Sequence, residues 1–140
     1  MDYRKFGNTY IVRLKRGEEV ISEITKLCKE EKINLGSING LGAADHAVIG
    51  LYDVEKQHYE KKELNCPMEI SSIHGNISTL EGEVYLHVHI NLADESLTVH
   101  GGHLNECRIS ATCELFIEKI DGRVEREKDP ETGLNIYKFL

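Results

Sequence analysis

Tyr85-Leu-His-Val-His-Ile-Asn-Leu-Ala-Asp-Glu-Ser-Leu-Thr-Val-His-Gly-Gly-His-Leu104 holds four of the chain's seven histidines, and the rest of the sequence reads as scaffold for it. From Val84 to Leu92 the even positions Val84, Leu86, Val88, Ile90 and Leu92 are apolar, while Tyr85, His87, His89 and Asn91 occupy the odd ones. On a strand such alternation gives one core face and one polar face, so His87 and His89 project together. Ala93 to Ser96 reads as a loop that returns the chain antiparallel and brings His100 and His103 back toward the first pair. A four-residue loop pairs Leu92 with Leu97 and Ile90 with Val99, which sets His89 opposite His100 and turns His103 to the core face. A one-residue bulge at Gly101-Gly102 reverses that parity and places His103 beside His87. Both triads stay open on spacing alone.

Working outward, Tyr10 to Leu14 has the β-branched and aromatic content of a strand, closed by Lys15, Arg16 and Gly17. A long N-terminal helix is expected from Glu18 to Lys32, with Val20, Ile21, Ile24, Leu27 and Cys28 at helical spacing. Glu18 and Glu19 in its first turn and Lys29 and Lys32 in its last suit the helix dipole, and Asn34 offers a left-handed stop. The glycine-rich Gly36 to Ala43 follows a helix and leads into the strand-like Ala47 to Tyr52. That is the wrong context for a phosphate cradle, and it predicts bulges or close backbone approach at Gly36, Gly40 and Gly42.

Gln57 to Leu64 reads as a charged, exposed strand broken by Asn65-Cys-Pro67, and Met68 to Leu80 as another, with a bulge hinted at by His74-Gly-Asn76. Glu81-Gly-Glu83 turns the chain into the central hairpin, and Cys107 to Ile120 is a further long strand. Beyond Asp121 the segment 121–140 is charged and turn-rich, and it ends in Leu134, Ile136, Tyr137, Phe139 and Leu140, an apolar ending expected to dock as an edge strand or to meet another subunit.

A chain of 140 residues suits one domain, here 1–140 with a core over about 10–120. Its 17 basic and 24 acidic residues leave a formal charge of -7, a field that repels nucleic-acid phosphate. Cys28, Cys66, Cys107 and Cys113 form no Cys-x-x-Cys pair, no secretory signal precedes them, and no apolar run is long enough to span a membrane. Reduced thiols in a cytoplasmic protein are the expectation.

Three converging histidines with a fourth position open suit zinc or another borderline divalent ion. The competing reading is a set of solvated histidines on an exposed sheet face. Glu114 shares the polar parity of the last long strand, and Glu69 follows Pro67. Either is a candidate to orient a ligand or to accept a proton from metal-bound water, and each is equally readable as a solvated strand glutamate. His46, His58 and His74 read as structural or surface residues.

Several stretches, in order, resemble the plant- and prokaryote-conserved (PPC) domain: Gly36 to Ala43, Pro67 to Ile77, His87-Val-His-Ile-Asn-Leu-Ala-Asp94, Gly101-Gly-His-Leu104 and Ala111-Thr-Cys-Glu114. The resemblance implies a compact α/β domain of the α+β type with a mostly antiparallel sheet, assembled as a homotrimer. It also implies that the His-x-His and Gly-Gly-His residues His87, His89 and His103 hold the metal, whereas apolar pairing across the hairpin favours His100, a position commonly apolar in the family, as the alternative third ligand. Plant members of the family join the domain to DNA-binding AT-hooks, and this chain has no Arg-Gly-Arg-Pro hook. Two functional classes follow. One is a regulatory binding or assembly module, associated with DNA or with a DNA-associated protein and holding a small molecule at its metal. The other is a zinc-dependent lyase or hydrolase acting on a small oxo acid. The fold is expected to be similar to that of α-acetolactate decarboxylase, a likeness that assigns no reaction.

Overall fold

In the computed structural model, which describes residues 1–139, the chain is mostly β. The elements are β1 (Asp2–Phe6), β2 (Thr9–Lys15), α1 (Val20–Glu30), β3 (Gly36–Asp53), β4 (His58–Leu64), β5 (Met68–Leu80), β6 (Glu83–Ala93), β7 (Val99–Lys119), β8 (Glu125–Lys128) and β9 (Asn135–Lys138). β3 and β7 are the long members and run antiparallel from Gly36 opposite Lys119 to Gly50 opposite His103. β5 flanks the first half of β3, β6 follows β5, and the end of β6 meets the start of β7. These four strands therefore close on one another, which removes the free edges they would otherwise expose. β4 extends the second half of β3, and β2 and β1 continue the sheet beyond β7.

Alternation along the strands fills the enclosed core. Leu14, Ile38, Ile73, Ile77, Ile90, Leu92, Ile109, Leu115 and Ile117 are buried there, and α1 adds Val20, Ile24, Leu27 and Cys28. Side chains of this size each contribute roughly 1.5–3 kcal/mol when fully buried. Cys28, Cys107 and Cys113 lie in that core as free thiols, which burial pushes up to about 12. The glycines of β3 answer to close approach. A Cβ on Gly36 or Gly42 would collide with the carbonyl oxygens of Glu118 or Thr112 on β7, and the register with β5 shifts between Gly40 and Gly42.

The expected long helix is absent, so the balance moves from α/β toward a β-rich fold. α1 covers 11 residues, because the chain before it is engaged elsewhere. Ile109 donates to the Glu18 carbonyl, and Glu19 bridges to Arg108, so both residues stay extended against β7. Glu19 is the N-cap, its carboxylate accepting from the amides of Ile21 and Ser22 at 3.0 and 2.7 Å. At the other end Lys32, not Asn34, takes the left-handed conformation (φ 53°). Ile33 N–H donates to the Cys28 carbonyl and Lys32 N–H to that of Lys29, a Schellman closure.

One smaller expectation also moves. His74 to Asn76 lie in uninterrupted register with both β3 and β6, and the β5 bulge falls between Ile70 and Ser72. Gly75 is needed because a Cβ there would press on Val88 and the His87 carbonyl. The charged C-terminal segment docks, as β8 parallel to β5 and β9 antiparallel to β8. Leu140 lies outside the described residues.

Candidate metal centre

β6 directs Val88, Ile90 and Leu92 into the core at 1%, 1% and 0% exposure, which forces His87 and His89 onto its other face. The return to β7 takes five residues, Asp94–Thr98, where the sequence pattern implied four. Asp94 sets that length: its Oδ1 accepts from the Ser96 amide (2.9 Å), the Ser96 hydroxyl (2.7 Å) and the Thr98 amide (3.1 Å), while Leu97 turns left-handed (φ 63°). An extra loop residue pairs odd positions with odd, so His89 stands directly opposite His103 in a register that runs without a bulge through Gly101 and Gly102. Those glycines serve close approach instead. A Cβ on Gly102 would sit 2.7 Å from the Gly50 carbonyl oxygen of β3, and one on Gly101 would collide with the Asn91 side chain. His100 is paired with Leu92 on the other face, its Nε2 2.9 Å from Asp94 Oδ2.

The rings of His87, His89 and His103 lie 5.1 to 5.7 Å apart between centroids, with one ligand nitrogen from each within 4.8 Å of the others. His46 bonds Asn65 and Glu106, and His100 bonds Asp94, whereas these three imidazoles have no side-chain hydrogen bond among the described residues. Burial pushes His87 down to about 4, with smaller contributions from His89, Arg126 and His103. Burial also lowers His103, assisted by His89 and Lys61. Both rings are thereby held neutral, the form in which imidazole binds a cation.

The triad forms part of the wall of a cavity of about 650 Å³, shared with Tyr52, Tyr59, Tyr85, Tyr137, Asn76 and Arg126. Tyr85 shares the parity of the histidines and was readable from β6. Arg126 and Tyr137 come from the charged C-terminal segment, whose apolar ending was expected to dock but carried no signal that directed it to this cavity. Glu114 is exposed and pairs with Arg13 and Leu41, far along β7 from His103, and Glu69 is exposed opposite Ala93. Neither lines the cavity. His74 stands opposite His89 in register but is exposed and outside the triad, and His58 is exposed at the start of β4.

Fold and site together define a class, a single-helix β domain whose central hairpin presents three imidazoles to a cavity. The sequence model of the Plants and Prokaryotes Conserved (PCC, or PPC) domain matches residues 1–121, and the chain belongs to that family. Several solved structures are similar over nearly the whole chain, three of them as follows. A candidate DNA-binding protein from Bacteroides thetaiotaomicron is 36% identical over 99% of this chain and 96% of its own, with a TM-score of 0.96. A metal-containing protein from Archaeoglobus fulgidus is 34% identical over 99% of both chains, with a TM-score of 0.89. A plant- and prokaryote-conserved protein from Pyrococcus horikoshii is 33% identical over 99% of this chain and 96% of its own, with a TM-score of 0.86. The likeness to α-acetolactate decarboxylase from Bacillus subtilis, at 12% identity and a TM-score of 0.55, is one of fold alone. None of the curated proteins matches the chain in sequence. Among the described residues, no helix is long and apolar enough to cross a membrane.

Proposed function

We propose that this chain is a homotrimeric metal-binding module, in which His87, His89 and His103 hold one divalent ion, zinc by preference, and the neighbouring cavity receives a small molecule. Its role on this reading is regulatory binding in the cytoplasm, in association with DNA or DNA-bound protein. The observation that carries the metal assignment is the convergence of three imidazoles within 4.8 Å at a cavity wall, with no side-chain partner for their ring nitrogens among the described residues. The donor set fits the ion. Three neutral imidazoles are the donors that zinc and similar borderline divalent ions prefer, and His87, His89 and His103 would hold such an ion, with one nitrogen from each within 4.8 Å of the others. When bound, such an ion would supply a Lewis acid beside the cavity that the three histidines line. Likeness to the metal-containing archaeal protein supports the same reading.

Metal analysis of the purified protein and two variants tests it. Wild type is expected to carry about one divalent ion per chain, His103→Ala to lose most of it, and His100→Ala to keep it. Undiminished metal in His103→Ala overturns the assigned triad. The zinc-dependent lyase or hydrolase remains the second reading, favoured by the cavity beside the imidazoles. Among the described residues no carboxylate lines that cavity, so on this reading the proton carrier is sought among its tyrosines and histidines and not at Glu114 or Glu69.

A further inference from the structure

We propose that the cavity beside the imidazoles is a binding site for a small organic monocarboxylate with an aromatic or apolar body, and that Arg126 is the residue that receives its carboxylate. The proposal deepens the small-molecule part of the function proposed above. Its anchor is a buried cation to which no described residue supplies an anion. Arg126 is 7% exposed, and its guanidinium donates to neutral oxygens only: Nε to Ser78 Oγ (2.7 Å), Nη1 to the Asn135 carbonyl (2.7 Å) and Nη2 to Asn76 Oδ1 (2.9 Å). Tyr85 and Tyr137 cover the cation at 4.7 and 4.3 Å from their ring centroids. Among the described residues it forms no ion pair, although removing a guanidinium from water is costly unless an opposite charge accompanies it. Each Nη carries a second N–H beyond the bond it makes here, and a forked guanidinium matches a carboxylate in its plane.

The surroundings agree in sign and in polarity. The chain as a whole carries -7, yet the cavity has an arginine and no carboxylate in its described lining. Four of the six tyrosines line it, which favours a flat or apolar ligand body over a hydrophilic one. Its volume, about 650 Å³, is that of a small-molecule pocket, too large for the metal and its waters alone. Asn76, which Arg126 grips, stands directly opposite His87 in the β5–β6 register. A ligand held at the guanidinium therefore lies alongside the imidazole triad. The cation comes from outside the stretch that matches the family, residues 1–121, and is delivered by the docking of β8 and β9.

The chain has no tryptophan, so its tyrosine fluorescence reports mainly on the cavity and gives a direct readout. Phenylacetate and 3-phenylpropionate are titrated against the uncharged phenylacetamide, with metal-free and zinc-loaded protein and by calorimetry in parallel. In wild type the acids are expected to bind at least about tenfold more tightly than the amide, the size of one charge-assisted pair. Arg126→Gln is expected to remove that difference and Arg126→Lys to restore part of it. Equal binding of acid and amide to wild type overturns the proposal, and this comparison needs no variant to fold. Binding of neither acid at millimolar concentration to either form also overturns it. Arg126-dependent binding by metal-free protein that takes up no zinc would sustain this site while removing the metal assignment, so the two failures are distinguishable.

Discussion

Two histidines on one sheet are tuned in opposite directions by what surrounds them. His87 is pushed down to about 4, first by burial and then by the positive groups near it, whereas His46 is raised by its bonds to Asn65 and Glu106. Between about pH 6.5 and 4 the unfolded chain holds a proton at His87 that the folded, metal-free chain does not, so falling pH lowers stability through this group. Its contribution is complete above pH 6.5 and lost as the pH drops through the folded value. His46 has the reverse sign: its contribution is present below its ordinary value and fades as the pH rises through the elevated one. In metal-free protein the His87 ring is expected to titrate near pH 4 and that of His46 above 6.5, as followed by imidazole resonances in NMR. A His87 transition near 6.5 would show that burial does not govern the site. His87→Asn should also flatten the acid side of the stability curve between those limits, measured by denaturation at each pH.

At the scale of elements, side chains decide boundaries that hydrophobic periodicity leaves open. Glu19 caps α1 and also accepts from the Cys107 amide of β7 at 3.0 Å, so one carboxylate fixes both the helix start and its contact with the sheet. Glu19→Ala is expected to destabilise the fold by about 1–2 kcal/mol, measured by urea unfolding, because a lost cap alone costs about 1. Gly102→Ala should cost about 1–3 kcal/mol and weaken metal binding, since the added Cβ meets the Gly50 carbonyl and pushes β7 from β3 where His103 is seated. The alternation of β6 was legible because one face is core, and so were the span of β5 and the place of His87 and His89. What remained illegible was parity across the hairpin. It depends on a single loop residue, and that residue is settled by the bonds Asp94 makes to the amides of Ser96 and Thr98 and to His100. Arg126 was equally unreadable, because its place in the cavity comes from β8 pairing with β5, a contact between residues distant in sequence.

For the molecule as a whole, the exposed surface and the net charge bear on assembly and on DNA together. Phe116 and Leu41, at 55% and 56% exposure, lie on one face of β7 and β3, with Ile11 of β2 directly opposite Phe116. Such a patch across adjacent strands is what a neighbouring subunit covers in the proposed trimer. Light scattering should then find trimers for wild type and smaller species for Phe116→Asp, with the metal retained in both. A monomeric wild type would remove the trimer from the proposed function. Association with DNA has a different physical demand, since a protein that neutralises phosphates must bring enough Lys and Arg to one face to displace condensed counterions. A chain at -7 per subunit lacks that surplus, and trimerisation multiplies the deficit. The purified protein is therefore expected not to retard a DNA fragment at about 50 mM salt, where counterion release makes weak non-specific binding most visible. Retardation that weakens steeply with added salt would mean that a basic surface forms on assembly, and would move the DNA contact from a partner to the trimer itself.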